Sequence, residues 1–232
     1  MPIRYHLPLR FYYRRWLLGF NREVGLLRCL ATSGSRAVDV GANLGVFTYA
    51  LWRLGCQVEA FEPVPVYAAQ IRAFGASRIR VHQVALSAKA GDARLQFPME
   101  GGVVDLGRGS ISPPDPLADQ IHVPVKLLDE YEFSDVSFMK IDVEGHELDV
   151  LKGAAATIAR CRPNLFVEIE QRHLSFPITQ VFDHLASLGY RGSFIQRGVL
   201  HPLSAFSYER DQQQWLDDVY APQYVNNFVF TR

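Results

Sequence analysis

Ala37-Val38-Asp39-Val40-Gly41-Ala42-Asn43-Leu44-Gly45-Val46-Phe47-Thr48 reads as a buried strand, a glycine turn and the first turn of a helix. The apolar residues around Asp39 suit a central strand. Gly41 permits a tight turn with main chain close to a ligand, and Gly45 lets the next helix approach the strand. The unsatisfied N–H groups of that helix start face the same turn. A dinucleotide fingerprint would put its second glycine where Asn43 stands, so a pyrophosphate ligand is disfavoured. Asp39, at the strand end, repels phosphate and suits a cation. The plainer alternative is an ordinary strand–turn–helix with a solvated Asp39.

Outward from this stretch, the 232 residues are 48% hydrophobic and 21% charged, enough for one domain with a real core and a small appendage. The formal net charge is +0, which speaks against a nucleic-acid partner. Residues 1–36 nevertheless hold seven Arg and one Glu. Cys29, Cys56 and Cys161 are far apart and follow no zinc or disulfide spacing, so a reducing cytoplasm is the expected location. Met1 to Arg15 lacks a signal-peptide core, and no apolar run reaches the length of a bilayer.

Residues 9–32 have apolar positions at helical spacing and are expected to form one or two helices, an N-terminal cap over residues 1–35. Arg10, Arg14 and Arg15 lie among aromatics. The favoured account is a cap with solvated arginines; the other is a face for peripheral membrane contact. The domain proper then runs over 36–232. A helix over 45–54 leads to a second strand, Val58–Glu62, whose terminal acid lies 23 positions after Asp39. In nucleotide-type folds such an acid accepts bonds from both ribose hydroxyls, which makes Glu62 the ribose candidate. A helix over 65–75 and a third strand, Ile79 to Leu86, follow. Short strands are expected at Ala93–Phe97 and Ile121–Val125, and a short helix over Leu127–Tyr131. Residues 98–118, rich in Gly, Pro and Ser, read as a lid or substrate loop, with Ser110 as a contact. Val136 to Ile141 is a buried strand delivering Asp142, Glu144 and His146. One helix through Leu148 to Cys161, a strand to Glu170, a helix over 178–188 and strands at 190–196, 199–203 and 225–231 complete the chain. This alternation implies a mostly parallel sheet with helices on both faces.

Ligands in such sheets bind outside the carboxyl ends of the strands. Asp39, Glu62, Asp142, Glu144, Glu168 and Glu170 fall on or near that edge. Carboxylates crowd one edge when something positive sits there, because like charges raise each other's pKa.

D-x-G-x-x-x-G followed by the acid of Phe61-Glu62-Pro63 resembles the binding motif of S-adenosylmethionine methyltransferases. With Val84-Ala85-Leu86-Ser87, Lys140-Ile141-Asp142-Val143-Glu144-Gly145-His146-Glu147 and Arg162-Pro163-Asn164-Leu165-Phe166-Val167-Glu168-Ile169-Glu170, the chain over about residues 36–173 resembles the FkbM methyltransferases. The resemblance implies a class I methyltransferase, Rossmann-like α/β fold: a seven-stranded, mostly parallel sheet with its last strand antiparallel. It implies S-adenosylmethionine as donor and a hydroxyl of a sugar, polysaccharide, glycolipid or polyketide-like molecule as acceptor. Asp39, Gly41, Asn43 and Gly45 match the family's cofactor loop, Glu62 its ribose acid, and main chain near Ala85 would face the adenine. Asp142 and Glu144 match its acidic pair.

Transfer to an alcohol needs a positioned base. His146, His173, Glu144 and Asp142 are the candidates. The reading assigns no metal, although Asp142 with Glu168 or Glu170 would suit magnesium. The alternative to an enzyme is a non-catalytic S-adenosylmethionine- or S-adenosylhomocysteine-binding module in a glycan-assembly complex. Nucleic-acid methylation is disfavoured by the neutral charge and by the lack of an N/D-P-P-[YF] motif.

Overall fold

The structure is a computed structural model that describes residues 8, 9, 11, 21–97, 99–100, 103–104 and 119–232. In chain order, α1 (Asn21–Leu30) is followed by β1 (Arg36–Val40), α2 (Val46–Arg53), β2 (Gln57–Phe61), α3 (Pro65–Arg72), β3 (Ile79–His82) and β4 (Ala85–Leu86). Next come β5 (Gly91–Phe97), β6 (Met99–Glu100), β7 (Val103–Val104), β8 (Asp119–Lys126), β9 (Val136–Ile141), α4 (Glu147–Gly153) and α5 (Ala155–Cys161). The chain ends through β10 (Asn164–Glu168), α6 (Thr179–Ser187), β11 (Arg191–Gln196), β12 (Val199–Pro202), α7 (Tyr208–Asp211) and β13 (Asn227–Thr231).

The main sheet has the order β12-β11-β13-β10-β9-β1-β2-β3. β3, β2, β1, β9 and β10 pair in parallel. β13 is antiparallel to both β10 and β11. The chain steps outward from β1 through β2 to β3, then returns to β9 on the other side. That reversal leaves a crevice at the carboxyl ends of β1 and β9, where this kind of sheet binds ligands. Because both faces are covered, the central strands are apolar runs rather than alternating ones. Val38, Val40, Met139, Ile141, Leu165 and Val167 pack on one face with Leu151, Ile158 and Val181. Ala37, Phe138, Phe166 and Val229 pack on the other with Leu27, Tyr49 and Leu51.

The sheet has eight strands, not the seven expected. The additional strand, β12, forms a hairpin with β11 through Arg197 (φ 51°) and Gly198 (φ 75°). Two consecutive left-handed residues give the turn twist that a two-residue hairpin needs. The third strand is also shorter than expected. β3 ends at His82, and Ala85–Leu86 leaves it to pair in parallel with β8 in a second sheet, β4-β8-β5. Its buried side chains Leu95, Phe97, Val123 and Val125 form their own cluster with Val64, which precedes α3.

The helix expected through Cys161 is broken at Ala154 into α4 and α5. Gly153 passes so close to the β4 exit that a Cβ there would lie 2.0 Å from the Ser87 carbonyl oxygen. Asp129 then supplies a cap from outside the helix, accepting from the N–H groups of Ala156 (2.9 Å) and Thr157 (2.8 Å).

Of the N-terminal cap, α1 is described, and it buries Leu27 and Leu30. The edge of Phe11 meets the ring of Tyr49, with centroids 5.2 Å apart. Arg10, Arg14 and Arg15 lie outside the described residues, as do Ser110 and most of 98–118; β6 and β7 pair antiparallel within that stretch.

Candidate active site

Asp39 and Lys140 are neighbours across β1 and β9. Both are buried on the α2 side of the sheet. The Asp39 carboxylate accepts from Thr48 Oγ1 (2.6 Å) and lies 3.7 Å from Lys140 Nζ. Lys140 Nζ also donates to the Gly41 carbonyl (2.8 Å) and pairs with Asp142 (2.9 Å). Burial by itself would lower the Lys140 pKa, but Asp142 and Asp39 reverse this and raise it. Burial raises Asp39, with Lys140 and Thr48 opposing. One ammonium thus joins the glycine turn to the acidic end of β9. Gly41 (φ 73°) completes the joint, since a Cβ there would lie 1.8 Å from the Asp142 carbonyl oxygen.

Above this joint is a cavity of about 380 Å³, within the range of small-molecule sites. One end is lined by Phe61, Glu62, Val64, Tyr67, Ala85 and Leu95. Glu62 is 3% exposed. It accepts from the N–H groups of Asn43 (2.6 Å) and Val64 (2.8 Å). Burial outweighs those bonds and pushes its carboxyl up to about 7. The small sheet supplies the apolar wall here, through Ala85 of β4 and Leu95 of β5.

The other end is polar. Asp142, Glu144, His146, Glu168, Glu170 and Arg172 line it. Glu144 (φ 52°) and Gly145 (φ 95°) are both left-handed, an uncommon backbone for a glutamate. The bend lets the loop after β9 meet the turn after β10; a Cβ on Gly145 would lie 2.3 Å from the His173 carbonyl oxygen. Glu144 Oε2 then comes within 2.9 Å of His173 Nε2, though that nitrogen makes no aligned hydrogen bond. Burial alone would lower the His173 pKa, but Glu144 and Glu170 raise it. Glu170 is paired with Arg172 (Nε at 2.8 Å) and accepts from the Tyr224 hydroxyl. Glu168 accepts from Asn226 Nδ2 (2.7 Å), and burial among Asp142 and Glu170 raises its pKa well above the usual carboxylate range. His146 Nε2 lies 2.8 Å from Ser87 Oγ, and its Nδ1 lies 3.8 Å from Asp149. Burial lowers its pKa, so it is neutral near pH 7.

Of the residues expected at the site, Gly41, Asn43, Glu62, Ala85, Asp142, Glu144 and His146 line the cavity. His173 lines a smaller pocket beside it. The Asp39 side chain is fully buried, with Thr48 and Lys140 beside it, whereas Gly41 and Asn43 of the same loop line the cavity. Gly45 also lies behind the wall, as the left-handed residue (φ 75°) preceding α2.

Sequence reasoning left Lys140 without a role, although a lysine between Met139 and Ile141 in a buried strand must find a partner. It also missed Tyr67, Arg172, Tyr224 and Asn226. The last two arrive through Gln212, whose buried side chain donates to the carbonyls of Ile169 (2.8 Å) and Val225 (2.7 Å). No local pattern marks that tie between α7 and the end of β10.

The sequence model of a family described as methyltransferase FkbM domain matches residues 39–191. Methyltransferase 1 of Beauveria bassiana (strain ARSEF 2860) is 29% identical over 162 residues; the match covers 57% of this chain and 65% of that protein. A crystal structure of methyltransferase FkbM from Methylobacillus flagellatus KT superposes with a TM-score of 0.56 at 19% identity, covering 87% of this chain and 44% of that one. A TehB-like SAM-dependent methyltransferase from Corynebacterium glutamicum ATCC 13032 Kitasato gives 0.50 at 13% identity, covering 97% and 99%. At such identities the two structures speak for the fold: the class I methyltransferase sheet.

Proposed function

The chain belongs to the methyltransferase FkbM family, and from that membership we propose that it is an S-adenosylmethionine-dependent O-methyltransferase. Its acceptor is a hydroxyl of a sugar, polysaccharide, glycolipid or polyketide-like molecule, and it works in the cytoplasm. The observation that carries the reading is the two-ended cavity, with a buried carboxylate against an apolar wall at one end and a carboxylate–histidine wall at the other. The residues fit the donor. Glu62 offers acceptor lone pairs for ribose hydroxyls, Ala85 and Leu95 an apolar bed for a base, and Asp142 and Glu144 negative charge for an ammonium and a sulfonium. The donor, when bound, supplies an activated methyl group.

The chain's own part is alignment and proton removal. Lys140 fixes the glycine turn against Asp142, so donor and acceptor halves of the cavity keep one spacing. His146 is the proposed base: it lines the cavity, is neutral near pH 7, and its ring is held by Ser87 on one edge and Asp149 on the other. His173 is less suited, because Glu144 and Glu170 favour its charged form.

Two experiments test this. Calorimetric titration with S-adenosylmethionine and S-adenosylhomocysteine should show binding that Glu62→Ala abolishes; a folded wild-type chain that binds neither would refute the reading. Radiolabelled methyl transfer to a panel of glycans and glycolipids, with the product methyl located by NMR, should then give O-methyl products. In His146→Ala, kcat should fall about 10²-fold or more with donor binding retained. Donor binding without turnover on any hydroxyl acceptor would favour the non-catalytic binding module.

A further inference from the structure

Beside the main cavity, Asp142, Glu144, Glu147, Glu168, Glu170 and His173 surround a smaller pocket; Asp142, Glu144, Glu168 and Glu170 line both. Each of Glu144, Glu170 and His173 brings one donor atom to within 4.8 Å of the other two. His173 Nε2 stands 2.9 Å from Glu144 Oε2 and 3.8 Å from Glu170 Oε1. Two ligands on one ion at about 2.0–2.2 Å can be no more than about twice that distance apart, and both separations at His173 lie within that limit. We propose that Glu144, Glu170 and His173 form a binding site for a divalent first-row transition ion, such as Mn²⁺, in the wall of the cavity.

One observation beyond the three ligands, and one at His173 itself, point to a cation. Glu147 is 1% exposed and lines the small pocket. Its Oε1 accepts from the Gly145 N–H (2.9 Å), but its Oε2 has no hydrogen-bond partner among the described residues. His173 Nε2 is likewise buried without an aligned hydrogen bond, although a carboxylate oxygen is beside it. Of the five carboxylates around the pocket, Asp142 is paired with Lys140 and Glu170 with Arg172, and Glu144 faces His173. A pocket that offers oxygen and imidazole nitrogen together selects a transition ion over Ca²⁺.

The site goes beyond the methyl-transfer reading, since the ion can be detected without turnover. Because Glu144 and Glu170 line both spaces, the ion would lie at the acceptor end of the cavity. A hydroxyl bound to it would have a lowered pKa. Its O–H proton would pass to His146, and the oxygen–methyl bond would form as the sulfur–methyl bond breaks, leaving S-adenosylhomocysteine.

Paramagnetic resonance titration with Mn²⁺ alone, on the full chain stripped with EDTA and exchanged into metal-free buffer, tests the site. Wild type should bind one ion per chain. Glu144→Gln and His173→Ala should each weaken that binding at least tenfold, while Glu130→Gln, at a surface pair with Lys126, should leave it unchanged. Thermal unfolding checks that each variant is folded; if Glu144→Gln is not, His173→Ala decides. The proposal is overturned if folded wild type binds no stoichiometric Mn²⁺, or if His173→Ala binds it as wild type does.

Discussion

As the proposed ribose contact, Glu62 should tie donor binding to pH. Its carboxyl titrates at about 7 in the free protein, against an ordinary value of 4.5, chiefly because it is buried. A ribose that donates two hydroxyl hydrogen bonds favours the ionised form and returns the pKa toward the ordinary value. At pH 5.5 only about 3% of the free protein then carries an ionised Glu62, against about 90% at pH 8. S-adenosylmethionine affinity should therefore weaken on the order of 30-fold, about 2 kcal/mol, between pH 8 and pH 5.5. Near pH 6 binding should release close to one proton. Calorimetry at several pH values, in buffers of different ionisation enthalpy, reads both quantities. Glu62→Gln should bind weakly with a flat pH profile. Glu147 is also pushed up to about 7 by burial, so Glu147→Gln is the control and should keep the wild-type slope. A flat wild-type profile, or a slope that survives in Glu62→Gln, would refute the assignment. For folding the sign is opposite. A raised folded pKa contributes stability below pH 4.5 that is lost as pH rises through 7, so the donor-free protein should be less stable at pH 7 than at pH 5.

Lys140→Met removes the cation from between Asp39 and Asp142 and should cost about 3–5 kcal/mol. At about 2–4 °C per kcal/mol the melting temperature should fall by roughly 10 °C, as calorimetric scanning would show. Gly41→Ala meets both a left-handed φ and the Asp142 carbonyl; it should destabilise by about 3 kcal/mol or more and abolish donor binding, measured by denaturant unfolding and titration. Asp129→Ala removes the cap of α5 and should cost about 1–2 kcal/mol in denaturant unfolding, with donor affinity unchanged.

The parts of this fold legible in the sequence are those written in local pattern. The strand–turn–helix at 37–48, the acid ending the second strand and the buried strand before Asp142 each depend on side-chain period and turn residues. The misread parts depend on contacts between distant residues. The break at Ala154 comes from Ser87 and Asp129, which no window around the helix contains. The strand at 199–203 was expected, and only its place as an eighth strand of the main sheet was not; that place depends on pairing with β11. His82 and Ala85 read as one strand because both lie in an apolar run, and the sheet each joins is set by β2 and β8. The candidate site divides in the same way. Glu62 and Asp142 could be named from strand ends, whereas Tyr224 and Asn226 needed the Gln212 tie.

Asp39 shows why motif position and ligand contact are different things. An acid at the end of β1 was expected to face a cation, and it does lie near one, but that cation is Lys140, an internal residue. The same ammonium holds the Gly41 carbonyl and Asp142. Its three contacts span the turn after β1 and the end of β9, the two sides of the crevice where the strand order reverses. The two strands pair up to Val40 and Ile141, and the last backbone bond between them runs from the Asp142 N–H to the Val40 carbonyl (3.1 Å). Beyond that last rung, Lys140 and the Gly41–Asp142 contact take over the role of the hydrogen-bond ladder. Asp39 thus lies behind the lysine that joins the two sides of the crevice, so on the proposed reading its replacement should weaken donor binding through the loss of that joint.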